Sequence, residues 1–340
     1  MSQKVLYLQS KQGAFAVGAN KIPHPGHGEV LLRVTAAALN PIDWKVQAYG
    51  VIVNRYPAIL GMDAAGTVEE VGAGVTGLAK GDRVITHTQY ENKHAAFQQY
   101  VLAVADFTAK IPAEVSDDEG ASIPLGLDTA VIGLFGSQYA GLVAPWDQPG
   151  KYGGQTIVIL GGSSSVGAYA IQAARLAGFS TIIATASLRH EEYLEDLGAT
   201  HVVDRQLSPS DIKIEVESIT SSPVKTVYDA ISTKETQETG WLLLAQGGKM
   251  VVTLGALVQP GTGDTRQVLQ VSGVPYAPQN RDFSRVFWRH LEVYLEDGDI
   301  LPNNIEVLPD GLRGIAEGLE RLQRNEVSGA KLVARPQETL

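Results

Sequence analysis

The chain has no cysteine among its 340 residues. That absence excludes disulfides, thiol nucleophiles and thiolate-held zinc together. No apolar run reaches the roughly 18 residues that a transmembrane helix needs. The N-terminus also lacks the apolar core of a signal peptide, so a cytoplasmic protein is expected. Positive charge is short: 27 Lys+Arg stand against 37 Asp+Glu, for a net charge of -10 and a pI near 5.2. Such a chain is repelled by phosphate backbones and anionic lipid, which argues against nucleic acid and membrane as partners. Repeats and low-complexity segments are missing too. What remains is 44% hydrophobic and 19% charged, the make-up of a globular protein long enough for two cores.

The most informative stretch runs from Thr156 to Gly178. Ile157–Leu160 is a short β-branched run suited to a strand buried on both faces. Gly161 and Gly162 supply a tight turn, and Ala168, Ile171, Gln172 and Arg175 follow at helical spacing, with Gly178 placed to end the helix. A helix N-terminus behind a glycine turn offers free N–H groups and the positive dipole end, a setting for a pyrophosphate. Gly162, Ser163, Ser164, Ser165 and Val166 are therefore candidate cofactor ligands. The serines stand where glycines are common in such turns, with hydroxyls able to donate to phosphate oxygens, and Gly167 keeps close helix–strand packing.

Strands alternate with helices after this point: Thr181–Ala184, Glu191–Leu197, His201–Val203, Thr226–Ile231, Glu235–Ala245 and Met250–Leu254. That order implies a parallel, doubly wound sheet. A second lack is informative here. No Asp or Glu follows the second strand to hold a ribose 2′-OH; Ser187, Arg189 and His190 stand there instead, as a 2′-phosphate would require. Residues 1–125 differ in kind. Their short apolar runs separated by glycines predict a small barrel. His87 and His94 lack a third convergent ligand and are read as surface residues.

Asn40-Pro-Ile-Asp-Trp-Lys45, Gly61-Met-Asp63, Val71-Gly72 to Val75 and Gly81-Asp-Arg-Val84, in this order before the nucleotide turn, resemble the GroES-like catalytic domain of medium-chain dehydrogenases/reductases. The likeness extends over nearly the whole chain and is nearest to zinc-independent, quinone oxidoreductase-like members, in particular the fungal stand-alone enoyl reductases. It implies an α/β fold with a GroES-like β-barrel domain at 1–125 and 276–340 and a Rossmann NADP(H)-binding domain at 126–275. Zinc members place a cysteine near Asn40 and His-Glu where Met62-Asp63 stands. The resemblance further implies that Asn40 and Pro41, in a turn over residues 40–45, face the nicotinamide. It implies the same for Leu254 and Gly255 at a strand end, and a cofactor role for Lys331 on the closing strand. Gly126–Leu142 is expected as the linking helix. Lys45 resembles the lysine at this place in the fungal enzymes, and Thr129 a threonine beside nicotinamide and substrate.

Without a metal, carbonyl polarisation falls to a cation or proton donor. Lys45 is the leading candidate, with Tyr49, Tyr56 and Thr129 as hydroxyl donors and Asp43 as its ion-pair partner or a cap. The expected activity is NADPH-dependent reduction of an α,β-unsaturated carbonyl; quinone reduction and nucleotide binding without turnover are the alternatives. Arg281, Arg285 and Arg289 share one helix face and either pair with internal acids or dock an acyl carrier protein. The segment 257–280 is placed to cover a sheet edge used by dimeric relatives, which favours a monomer over a homodimer.

A chain without thiolates is expected to purify without stoichiometric zinc. Elemental analysis checks this, and one tightly held zinc per chain with activity lost to chelators contradicts it.

Overall fold

A computed structural model describes residues 1–340, and the chain divides into two compact units. The first comprises residues 1–125, 285–298 and 302–340; the second comprises 126–284 and 299–301. Residues 276–284 thus fall in the second unit, not with the tail as the sequence reading has it.

The first unit starts with strands β1 (Ser2–Leu8), β2 (Phe15–Lys21) and β3 (Glu29–Ala38). Helix α1 (Pro41–Tyr49) and strands β4 (Ala58–Ile59), β5 (Asp63–Val71), β6 (Arg83–His87), β7 (Tyr100–Val104) and β8 (Thr108–Lys110) follow, then the short helix α2 (Asp117–Ala121). β1 forms a small antiparallel sheet with β2 and β4. β3 pairs antiparallel with both β5 and β7, and β5 continues the sheet to β6 and β8. Two register shifts in the β3–β5 ladder, at Leu31/Leu32 and Val34/Ala36, bend it as bulges do. Val30, Leu32, Val34, Leu60, Ala64, Val68, Val84 and Phe97 fill the core so enclosed.

Residues 40–45 open a helix, whereas the sequence reading has a turn there. Asn40 is extended at φ -127°, ψ 151°, Pro41 takes the first helical position and Asp43 the third. Pro at the first position loses no bond, because that N–H has no partner inside the helix. Gly50 ends α1 in the left-handed region at φ 62°.

The second unit is built on a six-stranded parallel sheet. Helix α3 (Pro124–Phe135) leads in, stopping short of the expected Leu142 because the chain turns at Gly136–Ala140. Then come β9 (Thr156–Leu160), α4 (Ser165–Ala177), β10 (Thr181–Ala186), α5 (Glu191–Asp196), β11 (His201–Asp204) and α6 (Pro209–Ile219). β12 (Thr226–Asp229), α7 (Lys234–Leu243), β13 (Lys249–Val252) and β14 (Gln267–Gln270) complete it. The strand order β11-β10-β9-β12-β13-β14 reverses at β9, whose C-terminal end is where such a sheet offers a ligand crevice. β14 lies within 257–280 and pairs with β13, so that strand's outer edge is occupied.

Helix α8 (Arg281–Glu296) is followed by β15 (Ile305–Val307), α9 (Gly314–Gln323) and β16 (Lys331–Ala334). β16 returns to β3, joining Val333 to Ala38, which brings Lys331 to the start of α1. Arg285 takes the first of its two expected roles, donating from Nε to Asp106 at 2.7 Å. No helix of the chain is long and apolar enough to cross a membrane.

Candidate active site

In the first unit the chemistry gathers at the N-terminus of α1. The Asp43 carboxylate reaches back to accept from the Asn40 amide at 2.9 Å, one half of a capping box. The Asn40 side chain also reaches into the interior. Its Nδ2 donates to Asp63 at 2.8 Å and its Oδ1 accepts from Lys331 Nζ at 2.6 Å. Lys331 Nζ lies 3.1 Å from Asp63, and the Leu125 amide donates to the other Asp63 oxygen at 2.7 Å. Exposure is 1% for Asn40, 0% for Asp63 and 5% for Lys331. The two residues expected to meet the cofactor, Asn40 and Lys331, thus spend these polar atoms within a buried triad. Pro41 is exposed on α1.

Asp43 is equally buried. Besides the Asn40 amide it accepts from Gly61 N at 3.1 Å and from the Tyr90 hydroxyl at 2.8 Å. Burial pushes its carboxyl up to about 7; the bonds from the Asn40 amide and the Tyr90 hydroxyl act against that, and the Asp63 charge adds to it. Of its two expected roles Asp43 takes the capping one. Lys45, one turn further, is half-buried with its ammonium 5.6 Å from the centre of the Trp44 ring. Burial is the sole cause that holds its pKa below the ordinary lysine value, and no carboxylate neutralises it. Tyr49 stands edge-on to Trp44 and is 61% exposed. Tyr56 donates its hydroxyl to Val53 O at 3.0 Å.

The histidines correct the sequence reading. His87 is 2% exposed and His94 6%, so neither is a surface residue. His94 is enclosed because its ring lies between two acids, Nε2 2.8 Å from Glu29 and Nδ1 3.4 Å from Glu91. No group of three or more His, Cys, Asp or Glu side chains converges as a metal would require. Zinc therefore does not fit the residues present.

A dinucleotide does fit the turn of the second unit. Ser164 caps α4, accepting from Gly167 N at 3.0 Å and donating its own proton to Gly161 O at 2.8 Å. Its hydroxyl is engaged within the turn, which it shapes. Gly167 must be glycine: a Cβ there would stand 2.2 Å from Gly161 O and 2.9 Å from Gly162 Cα. The Gly162 amide is tied to Thr185 O, while the amides of Ser163 and Val166 make no backbone bond in the turn, as a helix start leaves them. These donors and the dipole of a 13-residue helix suit a pyrophosphate.

After β10, Ser187 opens a 3-10 turn carrying Arg189 and His190. Arg189 Nε lies 3.2 Å from His190 Nε2. His190 titrates below the ordinary histidine value through partial burial first, then through the charges of Arg189 and Arg205. Arg205 is a residue that sequence reasoning missed. It follows β11, and its amide bonds to Ala186 O at 2.9 Å, which sets it beside the end of β10. Its signal was its place just past a parallel strand adjoining β10.

Leu254 and Gly255 follow β13, where the buried Gln237 amide donates to Gly255 O at 2.9 Å and accepts from Leu257 N at 2.7 Å. Thr129 lies on α3, its carbonyl accepting from the Tyr228 hydroxyl at 2.7 Å. Gly126, one turn earlier, packs on the Ser165 side chain.

Comparison with known proteins accords with this geometry. Residues 26–113 match the alcohol dehydrogenase GroES-like domain, and residues 165–287 the zinc-binding dehydrogenase domain. The chain is 32% identical to trans-enoyl reductase tndF of Aspergillus flavipes, over 96% of each. It is 42% identical to dehydrogenase pigH of Monascus ruber, across 55% of this chain and 53% of that one. Among solved structures, an alcohol dehydrogenase superfamily protein from Novosphingobium aromaticivorans superposes with a TM-score of 0.81 at 25% identity, covering 97% of this chain and 98% of its own. A mycobacterial quinone oxidoreductase gives 0.75 at 23% identity, covering 98% and 100%.

The raised Asp43 carboxyl yields a pH prediction. Its pKa in the fold exceeds the unfolded value, so the stability tied to its proton is complete below the unfolded pKa and lost as pH rises through about 7. Asp43→Asn removes that titration. Denaturant midpoints measured from about pH 4 to about pH 8 should therefore shift progressively in the variant's favour relative to wild type. A difference independent of pH contradicts the assignment.

Proposed function

The chain belongs to the medium-chain dehydrogenase/reductase superfamily, and we propose that it is a zinc-independent, NADPH-dependent reductase of the C=C bond in α,β-unsaturated carbonyl compounds. The observation that carries this reading is Lys45: a half-buried ammonium with no carboxylate to neutralise it. The full-length likeness to a trans-enoyl reductase supports it.

The nucleotide-binding domain takes a pyridine dinucleotide. We assign the 2′-phosphate to Ser187, Arg189, His190 and Arg205, because three cationic or protonatable side chains gather at the strand end where NAD-binding sheets carry an acid. The amides of Ser163 and Val166 hold the pyrophosphate, and Leu254 and Gly255 border the nicotinamide. When bound, the reduced nicotinamide supplies a hydride to the β-carbon of the substrate. Charge then moves through the α-carbon to the carbonyl oxygen, and the Lys45 ammonium stabilises that oxygen more strongly in the transition state than in the ground state. A proton delivered to the α-carbon completes the reaction, and the exposed Tyr49 phenol and the Thr129 hydroxyl are the side chains assigned to supply it. An isolated ketone gains little from one ammonium and no metal ion. Conjugated substrates, thioesters among them, are therefore the class expected.

Lys45→Ala should lower kcat for a 2-enoyl thioester by roughly tenfold to a thousandfold, as loss of one electrostatic stabiliser does, with NADPH affinity hardly changed. Steady-state NADPH oxidation against enoyl thioesters, small enones, quinones and saturated ketones, with product analysis, checks this. Activity confined to quinones, or wild-type rates in the variant, contradicts it.

NADPH should bind more tightly than NADH, and Arg189→Ala and Arg205→Ala should each narrow that preference by about tenfold or more, the worth of one charge-assisted bond. Fluorescence titration gives the dissociation constants. Equal constants for the two cofactors in the wild type refute the 2′-phosphate assignment.

A further inference from the structure

Helix α3 is apolar almost throughout, Pro-Leu-Gly-Leu-Asp-Thr-Ala-Val-Ile-Gly-Leu-Phe, and its Asp128 and Thr129 are buried. Two neighbours press on the helix at Thr129. On one side lies Tyr228 of β12, fully buried, its hydroxyl on Thr129 O at 2.7 Å. An α-helical carbonyl already receives the amide four residues on, so this second donor uses its remaining lone pair. The Tyr228 ring reaches that point because position 133 is glycine: a Cβ there would lie 2.8 Å from the ring and 2.9 Å from the hydroxyl oxygen. On the other side the chain crosses Thr129 at Gly273, where a Cβ would meet Thr129 Oγ1 at 2.1 Å and Thr129 Cα at 2.8 Å. That crossing is itself pinned. The buried Asn280 side chain donates to Ser272 O at 2.7 Å and to Val274 O at 2.9 Å.

We propose that Tyr228 is a positioning residue for Thr129, holding the α3 turn against the crossing at Gly273 so that the Thr129 hydroxyl has one place. The proposal rests on the reading of Thr129 given above. Two features fit it. Burial, and then the Asp229 charge, raise the Tyr228 hydroxyl well above its ordinary range, so it stays a donor across the working pH. Its bond goes to a helix carbonyl that the helix itself satisfies, so removing it leaves no buried backbone group without a partner. A role in stability alone would give the hydroxyl little to do.

A double-mutant cycle tests this on the full-length protein with NADPH and a 2-enoyl thioester, using Tyr228→Phe, Thr129→Val and the pair. Tyr228→Phe should lower kcat roughly three- to thirtyfold, the scale of a small misplacement of a reacting group, with the NADPH dissociation constant unchanged. The pair should be no slower than Thr129→Val alone, because the tyrosine acts only through the threonine. If Tyr228→Phe does not fold, Asn280→Ser, which loosens the crossing and leaves the tyrosine bond in place, enters the same cycle with the same expectation. Multiplying effects in the pair, or a wild-type kcat in Tyr228→Phe, overturns the proposal. A wild-type kcat in Thr129→Val overturns it too but leaves the Lys45 reading intact, whereas no enone reduction by the unaltered protein refutes the functional reading itself.

Discussion

The contact between Lys331 and Asp63 organises the first unit. It joins the start of β16 to the start of β5, takes in the Asn40 side chain at the head of α1, and receives the Leu125 amide. A charge pair this deeply buried costs desolvation on both sides, and the bonds from Asn40 and the Leu125 amide offset part of that cost. Removing one partner strands the other, at about 3–5 kcal/mol. The helix that bears Lys45 is therefore anchored by a bond formed almost three hundred residues later in the chain. Asn40 thus links the head of α1 to this contact, while Asp43 accepts from the Asn40 amide and donates its own amide to Asn40 O. Asp43, close by, is met only by neutral donors, and burial pushes its carboxyl up to about 7.

The second unit solves a different problem with backbone. The turn at Gly161–Gly167 is closed by its own Ser164 hydroxyl, and the amides it leaves without backbone partners are what a polyanion can use. Positive side chains are withheld from the turn and gathered past the neighbouring strand ends, as Arg189, His190 and Arg205. On a chain of net charge -10 that separation matters. A locally basic rim on an acidic protein draws one anionic group to one place and does not make the whole surface attractive to phosphate.

How far the sequence discloses this follows from the range of each interaction. The β9–α4 stretch was legible because its determinants are local: β-branched residues, a glycine turn, and Gly178 at φ 86° closing the helix. The doubly wound order was legible from alternation. The helix at Pro41 was legible in principle, since Asn, Pro and Asp stand at the cap, first and third positions. Those same residue types also make turns, and the turn reading prevailed. The direction of the Asn40 side chain could not be read, because it depends on Lys331, a partner supplied only by folding. Arg205 escaped for the same reason. It gains meaning from a parallel register that sets Asp204 against Ala186 and puts the next residue beside the β10 end. His94 read as surface because only two histidines were in view, and its contact with Glu29, sixty-five residues earlier, is supplied only by folding.

In the proposed reaction Lys45, a half-buried ammonium that no carboxylate neutralises, takes up the negative charge of the enolate. The most direct test follows the hydride itself. NADPH carrying deuterium at the transferring C4 position is turned over with a 2-enoyl thioester in ordinary water, and the product is read by mass spectrometry and NMR. The account predicts one deuterium on the β-carbon, with the α-carbon and the carbonyl carbon unlabelled. Deuterium on the carbonyl carbon, or a saturated product without label, would contradict it.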